Sequence, residues 1–158
     1  MAKVLVVYFT RTGNTKAMAE IVAEAAEKEG AKVILKDVEE TKPDEMLACD
    51  AIIAGSPTYY GGMAGKMKDF FDFSVAHHGK LAGKVGGAFS SSANIGGGNE
   101  TTILDILHAM LIHGMIVEGT AEGDHYGPVS IDAPDDRVKA QCEALGRRVA
   151  LLAKKLFS

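Results

Sequence analysis

The sequence predicts an α/β protein, a three-layer sandwich in which a five-stranded parallel sheet carries helices on both faces. Short apolar runs rich in β-branched residues alternate along the chain with longer segments in which apolar residues recur every three or four positions. The short runs are apolar at consecutive positions, which is typical of parallel strands covered on both sides. The length of 158 residues suits a single domain, residues 1–158, with a substantial core.

Each element is assigned from its own pattern. The predicted strands span residues 3–9, 31–37, 51–55, 85–89 and 115–118. The predicted helices span residues 16–28, 63–74, 100–113 and 135–156. In the second helix, for example, Met67, Phe70 and Phe71 recur at helical spacing and define an inner face. The first and third helices end at Gly30 and Gly114, because glycine readily takes the left-handed conformation that follows a helix.

Composition excludes several classes of function. The net charge of -4 and the lack of a basic run argue against nucleic-acid binding. No apolar stretch approaches the roughly 18 residues of a membrane-spanning helix, and the short apolar run after Met1 does not resemble an export signal. Cys49 and Cys142 have neither metal-ligand nor redox-pair spacing. We therefore expect a cytoplasmic protein without membrane insertion and with two reduced thiols, a regulatory disulfide being the alternative.

Three loops of unusual composition follow the first, third and fourth strands. In open parallel sheets, ligands bind at the carboxyl ends of the strands, near the point where strand order reverses. The first of these loops contains hydroxyl groups around a glycine and opens a helix, whose N-terminus favours phosphate. It lacks the lysine of the GxxxxGK[ST] motif and the glycines of GxGxxG. The candidate phosphate-binding residues are Thr10, Arg11, Thr12, Gly13, Asn14 and Thr15.

The second and third loops suit a flat polar ligand. Tyrosine offers a flat apolar face with a polar tip, and small residues leave backbone groups free to bind ring atoms. From the second loop the candidates are Pro57, Thr58, Tyr59, Tyr60 and Gly61. From the third loop they are Ser90, Ser91, Ser92, Ala93, Asn94, Gly96 and Gly97. A helix cap, a surface turn and a flexible loop are the alternatives for the three loops taken singly, but together they indicate FMN.

The loops and their neighbours resemble known proteins. The first loop is similar to the phosphate loop of flavodoxins. Four stretches in the same order are similar to the tryptophan-repressor-binding-protein family: residues 55–61 (GSPTYYG), 79–84 (GKLAGK), 96–102 (GGGNETT) and 111–115 (LIHGM). Members of that family are FMN-dependent NAD(P)H:quinone oxidoreductases. The resemblance implies a flavodoxin-like fold with strand order 2-1-3-4-5.

The same resemblance implies roles for individual residues. The first loop would hold the FMN phosphate, the second would contact the ring, and the third would bind its pyrimidine side. His113 would be catalytic, lying over the flavin where the quinone or NAD(P)H docks. The segment 38–50 is shorter than in the quinone reductases, where an insertion helps to build a tetramer. A homodimer and a homotetramer are both compatible with the chain.

Two functional hypotheses follow. In the first, NAD(P)H is the co-substrate and a quinone or another small molecule is the electron acceptor, with the flavin carrying the chemistry. In the second, the protein is a flavodoxin-type carrier that donates single electrons to protein partners. The absence of an acidic stripe counts against the carrier, since charge steers such encounters. A metal site is not expected, because the histidines lack partners at ligand spacing.

Overall fold

A computed structural model describes residues 1–157, which leaves Ser158 of the predicted domain outside the described part. The strands are β1 (Lys3–Tyr8), β2 (Lys32–Asp37), β3 (Ala51–Tyr59), β4 (Gly62–Met63), β5 (Val85–Ser92), β6 (Ile116–Val117) and β7 (Val129–Ile131). The α-helices are α1 (Asn14–Lys28), α2 (Gly65–Phe73), α3 (Asn99–Ile112) and α4 (Asp136–Phe157). Three short 3₁₀ segments lie at Val38–Glu40, Pro43–Ala48 and Ser74–His77.

The sheet has the predicted flavodoxin-like order. Its principal strands run parallel in the order β2-β1-β3-β5-β6, which is the order 2-1-3-4-5 of the five predicted strands. Two short strands bring the described sheet to seven: β4 pairs antiparallel with β3, and β7 pairs parallel with β5. The sequence pattern did not indicate these two, because neither Gly62–Met63 nor Val129–Ile131 forms a continuous run of apolar β-branched residues.

Two strands run further than the apolar pattern predicts. We expected β3 to end at Gly55 and β5 at Phe89, but the parallel ladder continues through the pairs Ser56–Ser90 and Pro57–Ser91. Small polar side chains do not look strand-like in a sequence, yet backbone pairing decides the element. Thr58 and Tyr59 therefore lie on a strand rather than in a loop, as do the three serines of β5.

Helices cover both faces of the sheet. One apolar cluster packs α1 and α4 on β1, β3 and β5, and a second packs α2 and α3 on the opposite face. Gly86 and Gly87 are adjacent in β5 and face opposite sides of the sheet. A Cβ added to Gly86 would lie 2.8 Å from Met110 Sδ, and one added to Gly87 would lie 3.1 Å from Leu145 Cδ1. Glycine at these positions lets α3 approach β5 from one side and α4 approach it from the other.

The two cysteines are free and buried on opposite faces of the sheet. Cys142 belongs to the cluster under α1 and α4, and Cys49 to the cluster under α2 and α3. Burial raises the pKa of the Cys142 thiol to about 12 and raises that of Cys49 as well. Both side chains therefore act as small apolar core groups. Separately, none of the helices that the structure describes is long and apolar enough to cross a membrane.

We expect Gly55→Ala to destabilise the protein. An added Cβ at Gly55 would lie 2.0 Å from the ring of Phe89, which is fully buried on the neighbouring strand. Overpacking of this kind costs about 1–3 kcal/mol, measured as a loss in the free energy of unfolding by urea. Gly65→Ala, at the exposed start of α2, has nothing within 4 Å of its new Cβ and serves as the control. Equal stability of the two variants would contradict this packing.

Candidate functional site

The carboxyl ends of the central strands surround a cavity of about 220 Å³. It is open to solvent on one side and lies where the strand order reverses, between β1 and β3. Four segments contribute to its walls: the loop after β1, the end of β3, the end of β5 and the residue after β7. The lining residues are Arg11, Thr12, Asn14, Thr15, Pro57, Thr58, Tyr59, Ser91, Ser92, Ala93 and Asp132.

Most of the predicted residues thus come together. Ten of the eleven lining residues are among the predicted candidates, and they come from all three loops. The other predicted positions in these loops do not line the cavity: Thr10, Gly13, Tyr60, Gly61, Ser90, Asn94, Gly96 and Gly97. Gly96 lines a second, wider cleft of about 630 Å³, together with residues of α3, β7 and α4.

The loop after β1 presents a helix N-terminus to the cavity. Gly13 takes the left-handed conformation (φ 96°), and its N–H donates to Thr10 Oγ1 at 3.0 Å. No side chain within residues 1–157 caps α1 at this end. The N–H groups of its first turn therefore remain available to an external acceptor, and the helix dipole favours an anion there. Arg11 and Thr12 are exposed beside it.

Hydroxyl contacts join the strand ends behind this loop. Thr15 Oγ1, which is buried, lies 2.9 Å from Ser91 Oγ and so ties the start of α1 to β5. Thr58 Oγ1 lies 3.1 Å from Ser90 Oγ and ties β3 to the same strand. Buried hydroxyls need such partners. The two contacts fix the relative positions of the three loops.

Aromatic side chains stand at the mouth of the cavity. Tyr59 is about one-third exposed (36%) and packs edge-on against Phe9, with ring centroids 6.3 Å apart. Tyr60 is fully exposed and takes the left-handed conformation (φ 51°), followed by Gly61 (φ 81°). A non-glycine residue rarely adopts this conformation, and such outliers cluster at functional sites. The turn projects Tyr60 into solvent next to the cavity.

The loop after β5 is exposed from Ala93 to Gly96, and it contains no aromatic residue as far as Gly97. Its start is anchored by Ser92, whose Oγ donates to Asn94 O at 3.2 Å and accepts from Asn99 Nδ2 at 3.0 Å. Gly98 ends the loop in the left-handed conformation (φ 101°) and leads into α3.

Asp132 is the one lining residue that the sequence did not indicate. It follows β7, has a positive φ of 57°, and its N–H donates to Ser92 O at 3.0 Å. The strand before it has only three residues, so nothing in the sequence marked this position as the end of a strand. Recognition of β7 would have been the signal.

His113 lies apart from the cavity within one chain. It caps the C-terminal end of α3, whereas the cavity lies near the N-terminal end of that helix; 14 residues at 1.5 Å each separate the two ends by about 21 Å. The side chain is buried, and Nε2 lies 2.7 Å from the Ser74 hydroxyl, which donates to Phe71 O. Nε2 therefore carries the proton. Its catalytic role stays a prediction.

Fold and strand order together define a flavodoxin-like protein with a cavity at the carboxyl ends of its strands. Residues 2–123 match the family described as NADPH-dependent FMN reductase. The chain belongs to this family.

Two curated relatives carry different names. A flavodoxin of Aquifex aeolicus is 45% identical over 159 aligned positions, covering 95% of this chain and 86% of the relative. An NAD(P)H dehydrogenase (quinone) of Archaeoglobus fulgidus is 35% identical over 190 positions, covering 99% of this chain and all of the relative. The chain is thus similar to members of both functional classes that its sequence indicated.

Solved structures agree with the fold. A flavodoxin from the domain Archaea has a TM-score of 0.80 at 34% identity, covering 96% of this chain and 99% of that one. A flavodoxin described as WrbA-like, from Agrobacterium tumefaciens, has a TM-score of 0.83 at 29% identity, with 99% of both chains covered. The resemblance drawn from the sequence motifs is confirmed.

Protonation of His113 should destabilise the fold. Among the described residues its Nδ1 has no hydrogen-bond partner, and burial together with the nearby His78 and His77 lowers its pKa. The unfolded chain, with a histidine pKa of about 6.5, therefore binds a proton before the folded chain does. The free energy of unfolding should fall as the pH drops through about 6.5, and should fall less in His113→Gln. Parallel pH profiles of the two proteins would refute this account.

Proposed function

We propose that the protein is an FMN-dependent oxidoreductase that transfers two electrons from NAD(P)H to a quinone, with FMN held in the cavity at the strand ends. One observation carries the proposal: an uncapped helix N-terminus, a set of hydroxyls and an aromatic side chain converge on a single cavity. Those are the groups that a phosphate, a ribityl chain and a flat ring require. Membership of the NADPH-dependent FMN reductase family supports the same cofactor.

The residues present fit the phosphate end of FMN. The first-turn N–H groups of α1 and the hydroxyls of Thr10, Thr12 and Thr15 supply donors to phosphate oxygens. Gly13, at a positive φ, shapes the loop so that these groups face one point. Arg11 adds a positive charge at the exposed edge. These residues would hold the phosphate, and the 220 Å³ cavity behind Thr12 would receive the ribityl chain.

The ring end would rest on the other two loops. Tyr59 and Tyr60 would contact the flavin ring, with Thr58 and Gly61 supplying polar groups at its edge. The segment from Ser90 to Gly97 would bind the pyrimidine side. Bound FMN would supply the redox chemistry, hydride uptake from a nicotinamide and two-electron reduction of a quinone. The protein's part is to bind, orient and shield the ring while leaving a face open for the second reactant.

An open face follows from the composition of the third loop. Ala93, Asn94, Ile95 and the glycines after them carry no aromatic side chain that would stack over a flavin. A second flat molecule, the nicotinamide or the quinone, would therefore stack on the flavin where an aromatic side chain of this loop would otherwise lie. This feature favours an enzyme with its own small substrates over a carrier with a covered ring.

A role for His113 at the flavin requires a second copy of the chain. Within one chain, the length of α3 keeps the histidine away from the cavity. A homodimer or homotetramer would have to bring α3 of one copy to the loops of another. The proposed function does not depend on this arrangement, since the cofactor residues lie on one chain.

The carrier function is the second candidate. The relative at 45% identity is a flavodoxin, and the alignment with it takes 159 positions to cover 95% of this chain. The alignment with the quinone dehydrogenase from Archaeoglobus fulgidus takes 190 positions, so that relative carries segments this chain lacks. A flavodoxin-like carrier would donate electrons singly to a protein partner.

A negative charge in the first loop should remove FMN. Thr12→Asp places a carboxylate beside the proposed phosphate position, and like charges repel in a partly desolvated site. We expect FMN affinity to fall by at least about a hundredfold in a fluorescence-quenching titration of the apoprotein. Thr12→Asn has the same shape without the charge and should retain most of the affinity. Tight FMN binding by both variants would show that the phosphate lies elsewhere.

Reaction with nicotinamides separates the two candidate functions. We expect anaerobic NADH or NADPH to bleach the visible absorbance of the FMN-loaded protein, and benzoquinone to restore it. The faster of the two nicotinamides identifies the preferred donor. If both left the flavin oxidised while dithionite reduced it, the protein would be an electron carrier and the enzyme proposal would fail.

A further inference from the structure

We propose that the first two turns of α3 act as a clamp that positions the flavin-contacting segment 58–63, and that Thr101 is the positioning residue at its centre. This inference rests on the proposed function, because it assigns a role in holding the FMN ring. The clamp consists of three side chains on one side of α3: Thr101, Thr102 and Asp105. Each of them contacts a different point of the segment.

Thr101 holds the backbone beside the exposed tyrosine. Its hydroxyl lies 2.7 Å from Gly61 O and 2.8 Å from Gly98 O, so its one hydrogen is shared between the two carbonyls. Gly61 follows Tyr60, and both have positive φ values. A turn of two left-handed residues is intrinsically unfavourable for tyrosine and persists only where its surroundings determine it. Thr101 lies outside the segment 58–63, and its hydroxyl donates a hydrogen bond to this turn at Gly61 O.

Thr102 and Asp105 fix the two ends of the segment. Thr102 Oγ1, which is buried, lies 3.0 Å from Thr58 Oγ1, the residue that also meets β5 through Ser90. Asp105 Oδ2 accepts the N–H of Met63 at 2.9 Å. Asp105 follows Thr101 by four residues and Thr102 by three. Residues at these spacings are neighbours on a helix surface, so the three side chains lie on one side of α3.

The start of α3 and the segment 58–63 approach each other closely, which leaves little room for movement between them. A Cβ added to Gly98 would lie 2.7 Å from the Gly61 Cα, and one added to Gly62 would lie 3.0 Å from Asp105 Oδ2. The helix start and the tyrosine turn are therefore in direct contact, and only glycine fits at the junction. The position of the turn follows the position of α3.

A merely structural role would affect folding, whereas a positioning role should affect the ring end of the ligand alone. Riboflavin shares the ring of FMN but lacks the phosphate, so the two ligands separate the ring contacts from the phosphate contacts. A weakened clamp should lower the affinity for both ligands by the same factor. A weakened phosphate loop, as in Thr12→Asp, should lower the affinity for FMN only.

The test compares Thr101→Val with the wild-type protein. We expect affinity for FMN and for riboflavin to fall by the same factor, about fivefold, since one hydrogen bond to the turn is lost. Thr101→Ser keeps the hydroxyl and should restore both affinities. Thr101 is exposed, so the apoprotein should still fold, with a melting temperature within a few degrees of the wild-type value. Thr120→Val removes a hydroxyl that contacts Glu122 instead of the segment, and it is the matched control.

The outcomes distinguish the failure of this inference from the failure of the proposed function. If the wild-type protein binds neither flavin, the proposed function fails, and the clamp fails with it. If it binds both and Thr101→Val binds them equally well, the clamp alone is wrong. A loss confined to FMN would also overturn it, by placing Thr101 at the phosphate. If valine disturbs folding, Thr101→Ala removes the same hydroxyl with a smaller side chain, and the same criteria apply.

Discussion

The parallel pairing of β3 with β5 is the constraint on which the rest of the molecule depends. It begins at Ala51 and Val85 in the apolar core and continues without a break to Pro57 and Ser91, beyond the point where the side chains cease to be apolar. The backbone ladder therefore carries two strands out of the core and into the site. A hydroxyl near the start of α1 and one near the end of β3 find partners on β5 because of this register.

The strand β5 also lets helices approach the sheet closely from both sides. Its two adjacent glycines leave room for Met110 of one helical layer and for Leu145 of the other. Both layers can then approach the middle of the sheet, and α3 can begin close enough to Gly61 for direct backbone contact. The need for glycine at positions 86 and 87, in the core part of β5, is thus connected to the geometry of the loops after β3 and β5.

The sequence allowed the architecture to be predicted well, because apolar periodicity is a local property. It indicated the five principal strands, the four helices to within a few residues and ten of the eleven residues that line the cavity, whereas the strand order came from the resemblance to known proteins. Its failures lie where pairing rather than composition decides. The serine ends of β5 and the short strand before Asp132 both depend on non-local contacts.

Proteins of one fold differ in function through small structural differences around a cofactor site that they share. The chain aligns with a flavodoxin over 95% of its length and with a quinone dehydrogenase over 99%. A loop that holds the FMN phosphate, as proposed for residues 10–15, would serve both classes. The open third loop and the exposed tyrosine turn are where a substrate, as opposed to a protein partner, would be selected.

The placement of the two thiols has a practical consequence. Cys142 and Cys49 are buried on opposite faces, and in both the pKa is raised, so neither offers an accessible thiolate. A single cysteine introduced at an exposed position such as Ile95 would therefore be the one thiol that reacts quickly with a maleimide dye or a spin label. The natural sequence is already suited to site-specific labelling, and the motion of the third loop can be followed without removing either native cysteine.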